Sequence, residues 1–241
     1  PSVANKVVVV PNAVDEVFLR ESKRPRDEKT KRRKDVETYT EKPVRILYVG
    51  RIHPEKGLGL LGQALKSMEQ GAWSRERGAW ECVLVGPVKE SEGGGGEAFV
   101  EELERGLEGL PVRFEAPVYD PAALARIYDE ADVFVYPSVA ESGESFGIAP
   151  LEAMARGVVP VVSDLAVFRE YLEPEVNGKI FDHRSARAVE NLSSAIDGLV
   201  RDASARRRMA VAGQETAEKF STAAVAERYL KLFAETLQSG K

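Results

Sequence analysis

Short apolar runs that alternate with helix-patterned segments are the feature that most constrains the fold of this 241-residue chain. Each run is apolar at nearly every position, whereas a half-exposed strand would be apolar at every second one. Strands of that kind are buried on both faces, as in a parallel sheet covered by helices. We therefore predict strands at 44–49, 81–85, 112–114, 132–136 and 158–162, and an earlier one at 6–10.

Helical periodicity fills the intervals between these runs. Asp120 followed by Pro121 is typical of a helix start, because the aspartate caps free N–H groups and proline suits the first turn. Strands alternating with helices imply right-handed crossovers, so we predict an α/β fold with a Rossmann-like, doubly wound parallel sheet and helices on both faces. The predicted helices are 57–68, 97–107, one beginning at 121, 148–156, 186–201, 203–220 and 223–237.

One carboxylate in the helix 148–156 is out of place. The helical period puts Glu152 on one face with the aliphatic residues Ile148, Leu151 and Ala155. Burying a carboxylate is costly unless a partner hydrogen-bonds to it. Two explanations stay open: a salt bridge with Arg156 one turn on, or a ligand that donates hydrogen bonds to Glu152.

In an open parallel sheet, ligands bind beyond the carboxyl ends of the strands. Gly50, Arg51 and Lys56 follow the strand 44–49 and precede a helix, whose N-terminus itself favours anions. An arginine and a lysine there suit a diphosphate, the alternative being a surface loop with scattered charges. Gly86 follows the strand 81–85, and Val118 lies where backbone groups can meet a flat base.

Composition and missing motifs exclude several classes of function. A net charge of -5 gives no reason to expect nucleic-acid binding. The single cysteine, Cys82, lies in an apolar run and suits a reducing cytosol, while His53 and His183 form no metal-ligand cluster with it. Gly50 lacks the following glycine spacing of a NAD fingerprint. No nucleophile–base pair points to a self-contained hydrolase, and no apolar run approaches the roughly 20 residues that span a bilayer.

Two biased segments interrupt the pattern. The stretch 20–35 is dominated by lysine and arginine, which predicts a solvated linker or, alternatively, a patch for anionic lipid headgroups. The four consecutive glycines 93–96 predict a flexible surface loop. They are not expected to cradle a phosphate, because the lysine and the hydroxyl residue of a phosphate loop are missing.

In their order along the chain, these stretches resemble the C-terminal, donor-binding half of a family 4 retaining glycosyltransferase of the GT-B fold. Glu144 and Glu152, separated by seven residues, match the two-glutamate motif of that family. The other matching stretches are Val10-Pro-Asn-Ala-Val-Asp15 with Phe18, Tyr48-Val-Gly-Arg51, Glu55-Lys56-Gly57, Val85-Gly86, 128–138, Phe146-Gly147, 151–157, 159–164 and Asn177-Gly178.

The resemblance implies a role for each of these positions. Arg51 and Lys56 are expected to bind the donor diphosphate and to stabilise it as it leaves, Glu144 to contact the transferred sugar, and Glu152 to accept hydrogen bonds from the ribose. Arg51, Lys56 and Glu144 are the catalytic candidates. The expected donor-binding set also includes Gly50, Gly86, Val118, Ser145, Phe146, Gly147 and Ile148. No metal and no cofactor is expected, the nucleotide sugar (a UDP- or GDP-hexose) being a substrate.

The same resemblance predicts three segments along the chain and leaves one phosphate contact in doubt. Residues 1–20 are expected to be the junction from a missing N-terminal domain, 21–42 a basic linker or loop, and 43–241 the donor-binding domain. Leu165 to Phe168 stands where many members have two glycines, which puts a phosphate contact from that loop in doubt.

The predicted function is hexose transfer from a nucleotide sugar with retention, and the alternatives are a non-catalytic nucleotide-sugar binding module and, less favoured, an epimerase or phosphorylase. Without its N-terminal half, the chain is expected to transfer weakly or not at all. The acceptor, a sugar, lipid or protein, belongs to that half. The expected location is the cytoplasm, with the membrane surface as a further expectation if the basic stretch contacts lipid.

Overall fold

A computed structural model describes residues 10–19, 42–70 and 80–239. Its centre is a six-stranded sheet in the order β3-β2-β1-β4-β5-β6, and every neighbouring pair of strands is parallel. The predicted doubly wound sheet is therefore confirmed. The strands are β1 (Val44–Val49), β2 (Trp80–Val85), β3 (Val112–Glu115), β4 (Val133–Tyr136), β5 (Val159–Ser163) and β6 (Lys179–Phe181).

Helices connect the strands and cover the sheet; the predicted ones lie within a few residues of their predicted bounds, whereas the short helix Glu16–Leu19 is not predicted. Asp120 caps its helix as expected, its carboxylate accepting from the N–H of Ala123 at 2.7 Å. The helices are α1 (Glu16–Leu19), α2 (Leu58–Gln70), α3 (Glu97–Leu107), α4 (Pro121–Asp129), α5 (Ile148–Ala155), α6 (Ala188–Arg201), α7 (Ala203–Glu218) and α8 (Thr222–Ser239). No helix within the described ranges combines the length and the apolar character that crossing a bilayer requires.

Burial follows each strand's place in the sheet. All four residues of the inner strand β4 are buried, whereas β3 at the edge alternates between half-buried and exposed residues. The large side chains Tyr48, Tyr128, Phe134 and Phe168 are fully buried, so aromatic rings form part of the core. Burial on both faces explains why these strands are continuous apolar runs in the sequence.

The structure adds elements that the sequence pattern does not predict. β6 has three residues, too few to show a period, and short 3-10 helices lie at Pro54–Lys56, Glu90–Glu92 and Ala166–Glu170. The basic stretch 20–35 and all but the last residue of the predicted strand 6–10 lie outside the described residues. The proposed domain boundaries therefore stay predictions.

Residues 10–19, expected to be a junction, lie against the domain. The N–H of Val14 donates to the carbonyl of Phe220 at 2.8 Å, and the Thr222 hydroxyl donates to the carbonyl of Val14 at 3.2 Å. Phe18 is buried with its ring centre 5.9 Å from that of Tyr128. This segment is thereby packed beside α4, close to the helix that carries Glu152.

Candidate functional site

The chain reverses its direction across the sheet between β1 and β4, and the loops that leave these two strands meet there. Gly57 has φ +68°, and a Cβ on it would lie 2.0 Å from the carbonyl oxygen of Pro137. The N–H of Val139 donates to the carbonyl of Glu55 at 2.9 Å. These loops carry Arg51, Lys56 and Glu144, and Glu152 follows in α5, at the switch point where an open α/β sheet holds its ligands.

Lys56 and Glu144 form the centre of the candidate site. The Lys56 ammonium donates to Glu144 Oε2 at 2.8 Å, and both side chains are about nine-tenths buried, with 9% and 11% exposure. The Tyr136 hydroxyl donates to the same oxygen at 3.3 Å, and Lys56 Nζ lies 5.4 Å from the centre of the Tyr136 ring. The structure thus joins two predicted residues that are 88 positions apart in sequence.

Electrostatics keep this lysine charged. Burial by itself would lower the pKa of Lys56, but the hydrogen bond to Glu144 and the interactions with Tyr136 and Glu144 outweigh it and raise that pKa above its ordinary value. Burial and the charge of Glu144 raise the pKa of Tyr136, with Lys56 opposing them. At pH 7 the site therefore presents the ammonium of Lys56 and the neutral hydroxyl of Tyr136, both in contact with the side chain of Glu144.

Arg51 lies at the outer side of the same loop. Its guanidinium forms an ion pair with Glu55 and donates to the carbonyl of Gly93 at 3.1 Å. The Tyr48 hydroxyl donates to the carbonyl of Arg51 at 2.7 Å, which ties the loop back to β1. Arg51 is 43% exposed, so the guanidinium remains open to an incoming anion.

The prediction that residues 93–96 form a flexible surface loop is wrong. The N–H of Gly95 donates to the carbonyl of Ile52 at 2.8 Å, and a Cβ on the buried Gly94 would lie 2.1 Å from the carbonyl oxygen of Val88. The glycines allow close packing of two main chains, which a side chain would prevent. Their N–H groups donate to carbonyls within the protein, so this loop supports the loop of Arg51 and offers no phosphate cradle.

Glu152 is paired with a tyrosine, and the alternative of a salt bridge with Arg156 is not observed. Arg156 Nε donates to Asp129 at 2.9 Å, whereas Glu152 Oε2 accepts from the Tyr128 hydroxyl at 3.1 Å. Burial raises the pKa of Glu152 to about 7; the hydrogen bond from Tyr128 opposes that shift and the charge of Asp15 adds to it. One buried hydroxyl leaves room for further donors to a carboxylate.

The remaining predicted residues lie around the same edge of the sheet. Gly86 follows β2 and Val118 lies half-buried in the loop after β3, while Ser145 is exposed and Ile148 begins α5. The ring of Phe146 does not face this edge: it is 4% exposed and lies 5.5 Å from the ring centre of Tyr171. Only the main chain of Phe146 is thus available for the contact expected of it.

Gly147 precedes α5 with φ +69°, and its carbonyl accepts from the Tyr171 hydroxyl at 2.7 Å. A Cβ there would lie 2.4 Å from Cε1 of Phe168. Phe168 belongs to the stretch that replaces the expected pair of glycines, so this departure is accommodated by direct packing on Gly147. The turn that carries Glu144 is fixed at its far end by these aromatic side chains.

Sequence patterns do not single out several side chains that hold the site together. Tyr136 and Tyr128 occur inside predicted elements and read as core, yet their hydroxyls reach Glu144 and Glu152. Glu141 pairs with His183 Nε2 at 2.9 Å and with Arg184 at 2.6 Å, which anchors the near end of the Glu144 loop to the segment after β6. Sequence periodicity does not predict these contacts, because they depend on which strands become neighbours in the sheet.

Within the ranges that the structure covers, no three histidine, cysteine, aspartate or glutamate side chains are grouped as metal ligands. The charges at the candidate site belong to side chains: the ammonium of Lys56, the guanidinium of Arg51 and the carboxylates beside them. Cys82 is buried, and burial raises the pKa of its thiol to about 12, which is typical of a cysteine that packs in the core.

A six-stranded parallel sheet of this order, with charged loops at its switch point, defines a Rossmann-like domain of the kind found in GT-B glycosyltransferases. The chain belongs to the glycosyl transferases group 1 family, whose profile matches residues 28–216. The resemblance drawn from the sequence motifs is thereby confirmed. The matched residues include all six strands of the sheet and both candidate loops.

Individual relatives agree with the family. The chain is 31% identical over 204 residues to a phosphatidyl-myo-inositol mannosyltransferase of Mycobacterium leprae, covering 81% of this chain and 47% of the relative. It is 28% identical over 198 residues to a D-inositol 3-phosphate glycosyltransferase of Segniliparus rotundus, covering 81% and 40%. The chain thus spans about half the length of the curated relatives it matches.

Solved structures agree on the fold. Sucrose-phosphate synthase from Thermosynechococcus elongatus superposes with a TM-score of 0.67 at 26% identity, over 82% of this chain and 46% of that one. The Anabaena protein HepE, in complex with UDP and glucose, superposes with a TM-score of 0.64 at 22% identity, over 82% and 49%.

Proposed function

We propose that this chain binds a nucleoside-diphosphate hexose at the switch point of its sheet and takes part in transferring the hexose with retention. The observation that carries the proposal is the buried Lys56–Glu144 pair, with Arg51 on the same loop. Family membership supports a glycosyltransferase. The names of the relatives support a hexose, since one is a mannosyltransferase and a protein of the same fold was crystallised with UDP and glucose.

The two cations suit the leaving group. When the bond between the anomeric carbon and the diphosphate oxygen breaks, negative charge develops on the departing diphosphate. Arg51 can contact it bidentately, and the three N–H donors of Lys56 can hold Glu144 and a phosphate oxygen together. Preorganised charges of this kind stabilise the transition state in a partly dehydrated site. We propose that they do so without a metal ion or cofactor.

The two glutamates suit the neutral parts of the donor. Glu144 accepts from Lys56 and Tyr136 through one oxygen, and a carboxylate has further lone pairs for sugar hydroxyls. Glu152, one helix turn inside α5, is assigned to the ribose hydroxyls. The expected contacts of Gly50, Gly86, Val118 and the main chain at 145–148 belong to this proposal.

We further propose that this half by itself binds the donor and transfers poorly. The two loops form one wall of the crevice, and transfer requires that water be excluded. A non-catalytic nucleotide-sugar binding module, which would make the same donor contacts without transfer, is the second candidate. Transfer measured with the chain alone, and again in a protein of the relatives' full length, separates the two. The acceptor, the cytoplasmic location and the membrane contact stay predictions.

Calorimetric titration with nucleoside diphosphates tests the assignment. Two lost charge-assisted contacts, at about 1.5–3 kcal/mol each, predict that Arg51→Ala with Lys56→Ala weakens binding by about 100-fold or more. Lys66→Ala, which removes an exposed cation of α2, is the matched control and should bind normally. Tight binding that survives the double change would contradict the roles of Arg51 and Lys56.

A second comparison separates the sugar from the diphosphate. Glu144→Gln should weaken binding of the sugar nucleotide but not of the bare nucleoside diphosphate, because the lost carboxylate is assigned to the hexose and Lys56 becomes free to contact phosphate. Glu152→Gln should instead weaken both ligands equally, since both carry the ribose. Equal losses for the two ligands with Glu144→Gln would place that residue outside the sugar subsite.

A further inference from the structure

Both cations of the proposed diphosphate site have a carboxylate partner, and only one of these carboxylates has a role in the proposed function. Lys56 pairs with Glu144, which is assigned to the sugar. Arg51 pairs with Glu55, to which no part of the donor is assigned. An acidic side chain beside a site for an anion opposes binding, so the position of Glu55 requires an explanation.

Glu55 lies among three basic groups. Besides its ion pair with Arg51, its Oε1 is 3.9 Å from Lys56 Nζ and its Oε2 is 3.7 Å from His53 Nδ1. Its side chain is 37% exposed, so solvent weakens these interactions without removing them. The carboxylate is close enough to both proposed phosphate ligands to share them with a bound diphosphate.

The main chain holds Glu55 in this place. Its N–H donates to His53 Nδ1 at 3.3 Å, and its carbonyl accepts from the N–H of Val139 at 2.9 Å. The Ser138 hydroxyl lies 3.4 Å from the same carbonyl. Because the loops after β1 and β4 fix the backbone of Glu55, its Cα stays beside the cations and its side chain stays within reach of them.

We propose that Glu55 is an internal competitor of the donor diphosphate: it pairs with Arg51 when the phosphates leave and so weakens retention of the nucleoside diphosphate product. This inference rests on the proposed function. A diphosphate brings at least two negative charges to Arg51, which Glu55 already neutralises, and to Lys56, which Glu55 approaches to 3.9 Å, and like charges at this range repel. The carboxylate therefore lowers the affinity for the product and speeds its release, a step that limits turnover in many enzymes.

Glu55→Gln tests the competition, since glutamine keeps the size and the hydrogen-bonding oxygen but removes the charge. Titrations with UDP and GDP should show about 3- to 10-fold tighter binding, about 0.7–1.4 kcal/mol, with correspondingly slower dissociation in stopped-flow experiments. Binding of uridine and guanosine, which lack phosphates, should not change. Glu108→Gln removes an exposed carboxylate beyond α3, at the opposite edge of the sheet, and should leave all four affinities unchanged.

Salt gives a second measurement that a purely structural effect would not move. The gain in Glu55→Gln should shrink at 0.5 M NaCl, because the removed repulsion is electrostatic. Unchanged or weaker diphosphate binding by the variant, with the wild-type chain binding normally, would overturn the inference and leave the proposed function standing. If the wild-type chain bound neither diphosphate, the proposed function would fail and the inference with it.

Discussion

At the scale of the residue, Glu152 couples ionisation to folding. Its pKa is raised from the ordinary value of 4.5 to about 7, mainly by burial beside α4. An acid whose pKa is higher in the folded state binds its proton more tightly there. It therefore contributes stability that is fully present below pH 4.5 and is lost as the pH rises through 7.

Glu152→Gln should remove this dependence, because glutamine keeps the shape and cannot ionise. Relative to the variant, the wild-type chain should lose on the order of 2–3 kcal/mol of unfolding free energy between pH 5 and pH 8. Urea unfolding at both values measures the difference. Glu101→Gln, an exposed glutamate of α3, controls for the change in net charge, and a difference that is the same at both pH values would contradict the burial argument.

Arg156 is the second residue whose contribution can be measured singly. Its ion pair with Asp129 is nearly buried, with 5% and 17% exposure of the two side chains. Removing one partner of a buried pair leaves an uncompensated charge, so Arg156→Ala should cost about 3–5 kcal/mol of stability. The exposed pair of Arg201 with Asp197 on α6 is the control: Arg201→Ala should cost less than about 1 kcal/mol. Similar losses at the two sites would show that the Asp129 pair is effectively solvated.

At the scale of the element, the loops at the switch point depend on glycine where two main chains meet. Gly57→Ala should destabilise the fold by about 1–3 kcal/mol, since φ +68° disfavours a side chain and a Cβ would lie 2.0 Å from the Pro137 oxygen. Gly198 lies inside α6 with nothing within 4 Å of its added Cβ, so Gly198→Ala should stabilise by about 0.5–1 kcal/mol. Thermal unfolding of both variants checks the opposite signs.

Elements are also the level at which the sequence is most informative. A strand such as β1 is recognisable because burial on both faces demands an apolar run, and Asp120 marks its helix by its capping chemistry. β6 shows no such signal, since three residues are too few to reveal a period. The prediction for residues 93–96 is wrong because four consecutive glycines favour a flexible loop. Their close packing against the carbonyl of Val88 is visible only in the folded structure.

The candidate site was only partly predictable for a related reason. Arg51, Lys56, Glu144 and Glu152 are recognisable by residue type and by family motif. Their partners are set by strand neighbours, which no local pattern encodes. Tyr136 therefore reads as a core aromatic until β4 is placed beside β1.

At the scale of the whole molecule, the sheet order places both charged loops at a single crevice, so ligand binding should stabilise the entire fold. At 100 times its dissociation constant, a nucleoside diphosphate should add about 2.7 kcal/mol. For a chain of this size that corresponds to a rise of about 5–10 °C in Tm. Thermal shift with UDP and GDP, with and without EDTA, measures it.

In the proposed site the positive charges that contact the diphosphate come from Arg51 and Lys56. Chelation of metal ions by EDTA should therefore leave the thermal shift unchanged. A shift that disappears with the chelator would mean that a divalent cation carries the phosphate contact. Arg51→Ala with Lys56→Ala supplies the matched loss of signal in the same assay. The three measurements together distinguish a site built from side chains from one completed by a metal.

The close packing at Gly86 explains why this glycine should be conserved in domains of this fold. A Cβ at this position would lie 1.8 Å from the carbonyl oxygen of Gly50, so the exits of β1 and β2 can pass each other only without a side chain. A descendant that lost its donor would still be forced to keep this glycine. Conservation of this glycine among relatives would therefore reflect main-chain packing and not donor binding. A search for inactive members should compare Lys56 and Glu144, which main-chain packing does not require.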